Sequence, residues 1–387
     1  MTRVFSLRVQ RYVLVCIGVL VGGALVEGLL RITYPRMVGS FQGLYVLDPD
    51  IGYRMKSNLD VDYRTPDYTT HILSNSWGFR ERDFSIANAP GMFRILVLGD
   101  SFVEALQVPL EQTFHKRLED ALNEYAGYRR YEVIALGVGG FGLIDEYAIW
   151  RSLGQHLHSD MVILMMHPND VEAYLAAFSE QEGAMPSERV ARLVHVRAAR
   201  IYGTPFSRLL GSLHMYVLAR NTLSRLPQGR SLYERVHHTA WYRLFITSQQ
   251  RTRLTPQPFA QSSAAQMCWG LARVIGALAD EVVTSGARFV LVAIPNPQQV
   301  IEPQRQHSST PIEGTPFLCD DDHLDAFLGH VAKKYSFPFL ALAFSLRAAH
   351  VKQAVYFRYD YHWTTYGHAC VAEAIVAKLL SDEELLR

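Results

Sequence analysis

The segment FRILVLGDS, residues 93–101, decides the fold of this 387-residue chain. Its first six residues form a short apolar run, which is typical of a strand buried on both faces of a parallel sheet. Gly99, Asp100 and Ser101 then turn the chain toward a helix. Because ligands of parallel sheets bind beyond the carboxyl ends of the strands, Ser101 stands where a nucleophile would be exposed. The alternative interpretation is an ordinary turn in which the serine caps the helix.

Strands and helices alternate through most of the chain, which predicts an α/β fold of three layers with a parallel sheet covered by helices on both faces. Two segments depart from this pattern. Residues 38–90 predict short strands and turns, and residues 180–260 predict a largely helical insertion. The predicted strands are residues 93–98, 131–136, 161–166, 288–294 and 338–343, and the predicted helices are residues 110–126, 143–157, 263–285 and 365–380.

The overall composition excludes several classes of protein. The chain has 38 lysines and arginines, 37 acids and 49% hydrophobic residues, whereas a disordered protein combines low hydrophobicity with high net charge. A net charge of +1 gives no general attraction to nucleic acid. Four cysteines are too few for a disulfide scaffold, and the sequence leaves open whether Cys268 and Cys319 form a disulfide. We interpret the acidic residues 320–322 as the first turn of a helix, not as a metal site.

An apolar segment near the amino terminus predicts export. Residues 12–26 carry no charge, and Glu27 alone interrupts the apolar run before residue 31. We predict a transmembrane anchor over residues 12–32, because about 20 apolar residues span a bilayer. Three arginines within residues 1–11 favour a cytoplasmic amino terminus. The alternative is a cleaved signal peptide, with small residues at 22–24 near the cleavage site; both interpretations export the rest of the chain.

A glycine-rich block, GVGGFG at residues 137–142, follows the second predicted strand and matches the pattern G-x-G-x-x-G. A dinucleotide-binding site would also need an acid at the end of the next strand, about 20 residues further on. Asp160 has this spacing but precedes the strand, so its carboxylate would lie at the opposite edge of the sheet. We therefore expect the glycines to expose backbone N–H groups and not to hold a nucleotide.

Two further polar blocks carry candidate site residues. Asn169 and Asp170 follow the third predicted strand; the Asn169 amide could donate to an oxyanion, or either residue could cap the next helix. Near the carboxyl terminus, Asp360 and His362 are two residues apart, which places them on one side of an extended segment. Asp360 could then bond one ring nitrogen of His362, while the other ring nitrogen faces Ser101.

These four blocks, in this order, resemble the SGNH (GDSL-type) hydrolase superfamily over residues 93 to about 380. The resemblance implies a flavodoxin-like sheet and an acyl-serine mechanism that needs no metal or other cofactor. It also implies a role for each matching residue. The implied triad is Ser101, Asp360 and His362, and the implied oxyanion-hole donors are Ser101, Gly140 and Asn169.

Three positions depart from the family pattern. His167 stands where the family has glycine, Ala135 stands where an asparagine often precedes the glycine block, and the last block is Asp-x-His where Asp-x-x-His is commoner. The shorter spacing, followed by Trp363, resembles the membrane-associated branch that O-acetylates polysaccharides. The segment SNSWGFR, residues 74–80, is similar to exported SGNH proteins of bacterial envelope loci.

The resemblance and the apolar segment together predict a single-pass protein of the bacterial inner membrane, with residues 91–387 as a periplasmic hydrolase domain. The predicted activity is removal or transfer of an O-acyl group on an envelope carbohydrate. The alternatives are a lipolytic esterase or thioesterase, and a non-catalytic glycan-binding assembly protein that retains the fold.

The predicted insertion is strongly basic. Residues 189–253 contain twelve arginines, no lysine and one acid, Glu234. This segment is either a basic surface that faces anionic lipid or an acidic glycan, or a helical cap whose arginines pair with acids elsewhere. Either way, the net charge of +1 is a cancellation between a basic insertion and an acidic remainder.

Overall fold

Five parallel strands form the central sheet of the protein. The structure is a computed structural model that describes residues 2–35, 37–38, 41–65, 67–125, 130–171, 213–225, 261–302, 324–358 and 360–386. The strand order is β5-β4-β3-β1-β2, which is the flavodoxin-like order 2-1-3-4-5 and confirms the predicted fold class. The strands are β1 (Met92–Gly99), β2 (Arg130–Gly137), β3 (Met161–Met166), β4 (Arg288–Ala293) and β5 (Phe339–Ala341).

Helices cover both faces of this sheet, and each face has its own hydrophobic cluster. In β1, Leu96 and Leu98 belong to one cluster, and Ile95 and Val97 belong to the other, because successive side chains of a strand point to opposite faces. The first cluster includes residues of the helices Leu143–Ser152, Gln261–Thr284 and Leu324–Tyr335. The second includes residues of the helices Ser101–Glu104, Phe114–Tyr125, Ala343–His350 and Thr365–Ser381.

The observed helices differ from the predicted ones mainly at their ends. The helix predicted over residues 110–126 is divided into a 3-10 turn and an α-helix, because the residue between them, Thr113, has an extended backbone. The helix predicted over residues 143–157 ends at Ser152. The shorter elements are the helix Pro297–Ile301 and the 3-10 turns Leu110–Gln112, Gly154–His156 and Glu383–Leu386.

The residues before β1 form small strands that pack into the core of the sheet domain. Leu44, Tyr45, Tyr53 and Ile72 are buried in the same cluster as the helices of the first face. Arg80 is also buried, and its guanidinium donates to the carbonyl oxygens of Glu104 (3.2 Å), Ala105 and Val108. The strands are Met37–Val38, Tyr45–Asp48, Gly52–Met55, Asp60–Arg64 and Thr69–Leu73, with a helical turn at Phe41–Leu44.

The amino-terminal helix, Thr2–Thr33, contains an apolar span at Gln10–Thr33 that has no residue buried within the described protein. Its 24 residues rise about 36 Å, which is enough to cross a hydrocarbon core of about 30 Å. A membrane span and a signal sequence both fit this observation. The carboxylate of Glu27 is not left unpaired, because it accepts the backbone N–H groups of His214 and Met215 at 3.0 Å each and pairs with Arg31 at 2.8 Å.

Side chains cover the outer edge of the sheet at β2. Asn123 bonds both backbone groups of Tyr131, Glu119 accepts the N–H of Val133, and Lys116 donates to the Val133 carbonyl at 2.7 Å. A cavity of about 760 Å³ runs along this edge and includes none of the predicted site residues. The outward backbone groups of Tyr131 and Val133 are already bonded to side chains, which disfavours pairing of this edge with another strand.

The predicted insertion lies mostly outside the described residues. Within residues 180–260 the structure describes a helix at His214–Arg225, whose first N–H groups bond Glu27. The basic segment 189–253 can therefore be assessed only over this helix, and its predicted contact with lipid or glycan stays a prediction.

Candidate active site

Ser101 begins the short helix Ser101–Glu104 directly after β1. Because β2 and β3 lie on either side of β1, this is the point where the strand order reverses, and such a switch point is where ligands of doubly wound sheets bind. Asp100 is the N-cap, since its Oδ1 accepts the N–H of Phe102 at 2.9 Å. The alternative in which Ser101 caps the helix is therefore wrong. The Ser101 hydroxyl instead forms a hydrogen bond with a histidine from the carboxyl-terminal part of the chain.

His362 bridges Ser101 and Asp360. Its Nε2 lies 2.7 Å from Ser101 Oγ, and its Nδ1 lies 2.6 Å from Asp360 Oδ1. A carboxylate can only accept, so Nδ1 carries the hydrogen, and Nε2 is the acceptor for the serine hydroxyl. The structure thus brings together the three residues that the resemblance implied as a triad, across 261 positions of sequence between Ser101 and His362.

The segment that carries Asp360 and His362 is a turn and not the extended segment that the sequence argument assumed. Tyr361, between them, has a φ of +63°, which is the left-handed region. The N–H of Phe357 donates to the carbonyl of His362 at 2.8 Å and closes the turn. The side chains of Asp360 and His362 therefore meet because the chain folds back on itself. The contact was predicted, but from a different backbone conformation.

The electrostatics of the pair fit a general base and its carboxylate partner. Burial lowers the pKa of His362, but the charge and hydrogen bond of Asp360 outweigh burial and leave the pKa above its ordinary value of 6.5. Burial raises the pKa of Asp360, and the charge and hydrogen bonds of His362 outweigh it, so this pKa is below 3.8. Asp360 is thus ionised at neutral pH and stabilises the imidazolium form of His362.

Residues from the segment before β1 hold Asp360 from the other side. The hydroxyl of Tyr68 donates to Asp360 Oδ2 at 3.3 Å, and the backbone N–H of Asp360 donates to Asp67 Oδ2 at 2.8 Å. These contacts join positions more than 290 residues apart. Sequence analysis missed both residues, because no local spacing marks a contact of this range.

Asn169 points its amide toward the turn that carries Ser101. Its Nδ2 donates to Asp100 Oδ2 at 2.8 Å, and its Oδ1 lies 2.8 Å from Nδ1 of His167. Asp170 Oδ2 accepts the N–H of His167, three residues earlier, at 2.7 Å. An amide nitrogen has two hydrogens, so the bond to Asp100 leaves one for an oxyanion. The ring of His167 therefore orients the amide.

The glycine block is shaped by packing and not by a nucleotide. A Cβ on Gly137 would lie 2.3 Å from the backbone nitrogen of Glu104, so the glycine lets the Ser101 helix approach the end of β2. Gly140 has a φ of +82°, which favours glycine. Asp160 accepts the N–H of Arg94 at 2.7 Å near the amino ends of the strands, which is the opposite edge, as predicted. Asp160 therefore lies too far from this block to act as the acid of a dinucleotide site.

Gly137→Ala is expected to destabilise the protein by about 1–3 kcal/mol and to lower activity, because its Cβ would overlap the backbone of Val103 and Glu104. Urea unfolding of both proteins measures the change. Gly329→Ala is the matched control, because its Cβ would come no closer than 3.3 Å, to the ring of Phe339, and alanine favours a helix over glycine. Equal destabilisation by the two substitutions would contradict the packing argument.

Glu104 is a buried acid that sequence analysis did not single out. It is 2% exposed; the hydroxyl of Tyr45 lies 2.7 and 2.6 Å from its two oxygens, and the N–H of Gly139 donates to Oε2 at 3.0 Å. Burial raises the pKa of Glu104 to about 7, although these hydrogen bonds and Arg80 lower it. The sequence feature that could have revealed Glu104 is an acid within the otherwise apolar segment 102–106, directly after the candidate nucleophile.

This pKa predicts how stability depends on pH. The uncharged form of Glu104 suits the site, so its contribution to stability is present below the ordinary pKa of 4.5 and is lost as the pH rises through about 7. Glu104→Gln removes this titration. As the pH rises from about 5 to about 8, we expect the free energy of unfolding of the variant to increase relative to that of wild type by up to about 3 kcal/mol. Urea unfolding at both pH values tests this. Glu124→Gln, on an exposed helix face, is the control, and the same pH dependence in the Glu104→Gln variant and wild type would contradict the prediction.

The other candidate residues have structural roles or lie outside the described part of the chain. His368 accepts the N–H of Phe114 at 3.2 Å, and burial lowers the pKa of this histidine to about 3, so it is a neutral structural residue. Cys268 is disulfide-bonded, whereas residues 319–323 are not described. Among the described residues there is no group of side chains suited to a metal ion.

No protein-family model matches the sequence, and no curated protein matches it. Among solved structures, the chain is similar to TesA, with 13% identity over 74% of this chain and 97% of TesA and a TM-score of 0.39. It is also similar to the acetyl xylan esterase AlAXEase, with 13% identity over 74% of this chain and 98% of that one and a TM-score of 0.40. A third similar structure is LAE5, an alpha/beta hydrolase enzyme from the metagenome of Lake Arreo, Spain. It has 13% identity over 78% of this chain and 99% of LAE5, and a TM-score of 0.41. These likenesses are remote, so the assignment of the site depends on its own geometry.

Proposed function

We propose that this protein is a serine ester hydrolase of the SGNH type that removes or transfers O-acyl groups of a cell-envelope carbohydrate. The observation that carries the proposal is the hydrogen-bonded chain from Ser101 through His362 to Asp360 at the carboxyl edge of the sheet. A serine hydroxyl is a poor nucleophile until a base takes its proton, and this arrangement supplies the base and the carboxylate that orients it.

The reaction proceeds through an acyl-serine intermediate. His362 takes the proton of Ser101 as Oγ attacks the ester carbonyl carbon, and the carbonyl oxygen becomes an oxyanion. The N–H groups of Ser101 and Gly140 and the amide of Asn169 stabilise that charge; losing one such donor typically costs about 2.7–4 kcal/mol of transition-state stabilisation. Protonated His362 then gives its proton to the departing alkoxide, which leaves as the alcohol. His362 next activates water, which releases the acid, or a sugar hydroxyl, which forms a new ester.

The openness of the site supports a bulky substrate. The side chains of His362 and Asp360 are both 23% exposed, and Ser101 is half-buried. Acyl groups on a large carbohydrate can reach a nucleophile at this depth. The apolar amino-terminal helix supports a location at a membrane, with the catalytic part on the extracytoplasmic side.

Product analysis tests the proposed reaction. The full chain in detergent is incubated with an acetylated xylo-oligosaccharide, with and without a glycan acceptor, and free acetate and acetylated acceptor are measured. Acetate release that His362→Ala abolishes supports the hydrolase, and acetylated acceptor formed at the expense of acetate supports transfer. Saturable glycan binding without either product would instead identify a non-catalytic binding protein.

The proposed location has its own test. A phosphatase that folds only outside the cytoplasm is fused after residue 387 and expressed in a bacterium. Phosphatase activity in the membrane fraction supports the anchor, and activity released in soluble form supports cleavage of the amino-terminal segment. An inactive fusion that is present at full length would contradict export.

A further inference from the structure

The bend at Gly139 and Gly140 passes directly behind the nucleophile. A Cβ on Gly139 would lie 3.7 Å from the Cβ of Ser101. The peptide unit between the two glycines consists of the carbonyl of Gly139 and the N–H of Gly140, which is the expected oxyanion donor. Whatever holds the Gly139 carbonyl therefore sets the direction of that N–H, because a peptide unit is planar.

Tyr53, from the strand Gly52–Met55, holds this carbonyl. Its hydroxyl donates to the oxygen of Gly139 at 2.6 Å, and the residue is 3% exposed. The rings of Tyr45 and Phe141 pack edge-on against the Tyr53 ring, at centroid distances of 5.7 and 4.8 Å. A hydrogen bond to a carbonyl polarises its peptide, so the N–H on the other end becomes a stronger donor.

Glu104 holds the preceding peptide unit. Its Oε2 accepts the N–H of Gly139 at 3.0 Å, and the hydroxyl of Tyr45 holds the carboxyl group in turn. Both peptide units that flank Gly139 are thus fixed by buried side chains, one of them donating and the other accepting. Tyr45 and Tyr53 come from strands before β1, and Glu104 comes from the helix of the nucleophile.

We propose that Tyr53 and Glu104 are positioning residues. Tyr53 orients and polarises the Gly139–Gly140 peptide, and Glu104 fixes the peptide unit before it, so that the Gly140 N–H faces the oxyanion. This inference depends on the proposed function, because it assigns these residues to the oxyanion hole of that reaction. The segment before β1 then completes the catalytic site and is more than a connection to the membrane helix.

Tyr53→Phe removes the hydroxyl and keeps the ring. For a chromogenic acetyl ester, kcat is expected to fall about tenfold while KM stays unchanged, because the lost interaction acts on the oxyanion and not on the bound ester. Binding of a phenylboronic acid, which forms a tetrahedral adduct with the serine, is expected to weaken by the same factor. Tyr147→Phe is the matched control, since its hydroxyl bonds the carboxylate of Glu281 at 2.6 Å away from the site.

Substitutions of Glu104 test the second contact. Glu104→Gln keeps an acceptor for Gly139 and can donate to the Tyr45 oxygen, so we expect kcat within about threefold of wild type. Glu104→Leu leaves the Gly139 N–H without its acceptor and is expected to lower kcat by roughly tenfold or more, with KM unchanged. Circular dichroism of both variants shows whether each is folded.

The outcomes separate the two claims. A folded Tyr53→Phe variant with wild-type kcat and boronate affinity would overturn the positioning role and leave the hydrolase intact. A parallel rise in KM for Tyr53→Phe, or equal losses for Glu104→Gln and Glu104→Leu, would also overturn it. A wild type that neither hydrolyses the ester nor binds the boronate would overturn the proposed function, and the inference with it.

Discussion

Ser101→Ala is expected to lower kcat for acetyl-ester hydrolysis by on the order of 10⁶-fold, with little change in stability. The triad acts as a unit, so removal of the nucleophile forfeits nearly all of its catalysis. The Ser101 hydroxyl donates to His362 Nε2 at 2.7 Å, and alanine has no hydroxyl to donate or to act as nucleophile. His362→Ala is expected to cause a similar loss, and the double variant is expected to be no worse than either single one.

Ser285→Ala is the control for this substitution. Its hydroxyl bonds the carbonyl of Val282 at 2.7 Å, in the turn that leads into β4, at the opposite edge of the sheet. Steady-state kinetics with a chromogenic acetyl ester measure all variants. Wild-type turnover by Ser101→Ala, or additive losses in the double variant, would contradict the triad.

Asp360→Asn is expected to lower the plateau of kcat/KM by about 10⁴-fold and to shift its pH dependence. The amide can present its N–H to His362 Nδ1, which would favour the wrong tautomer and remove the acceptor at Nε2. The carboxylate is also what raises the pKa of His362 above 6.5 against the effect of burial. Because the reaction needs neutral His362, activity rises with pH through this pKa, and the midpoint is expected to move to lower pH in the variant.

Asp62→Asn is the matched control. Asp62 Oδ1 lies 2.9 Å from Nδ1 of His71, and both side chains are on the exposed face of the strands before β1. The same substitution there alters an aspartate–histidine pair that has no part in the proposed triad. The pH–rate profiles of wild type and both variants provide the measurement. A midpoint that stays in place, or moves to higher pH, in Asp360→Asn would contradict the assigned electrostatics.

The central strands were predictable because most of their residues are apolar and buried on both faces of the sheet. The run 93–98 and the strand Met92–Gly99 differ by one residue at each end, and residues 161–166 coincide with β3. The ends of the helices were harder to predict from the sequence. Thr113 interrupts the predicted helix through its own backbone conformation, and the helix Ala343–His350 is too short to show a clear helical period.

The proximity of Ser101, Asp360 and His362 was predictable because these residues follow strand ends or share a short motif. The supporting residues were not. Tyr53 contacts Gly139 across 86 positions and Tyr68 contacts Asp360 across 292, and nothing in the local sequence of either tyrosine distinguishes it from other tyrosines of the chain. Such contacts follow from how the small strands pack on the sheet, which a single sequence does not encode as a spacing.

Locating the acyl group on the enzyme tests directly whether Ser101 is the nucleophile. Wild type and Ser101→Ala are mixed with an acetyl ester, stopped rapidly with acid, digested and examined by peptide mass spectrometry. Assignment of Ser101 as the nucleophile predicts one acetyl group on Ser101 of the wild type, lost with time as product forms, and no acetylated peptide from the variant. Turnover in the wild type with the acetyl group on another residue, or with unmodified Ser101 throughout, would contradict it.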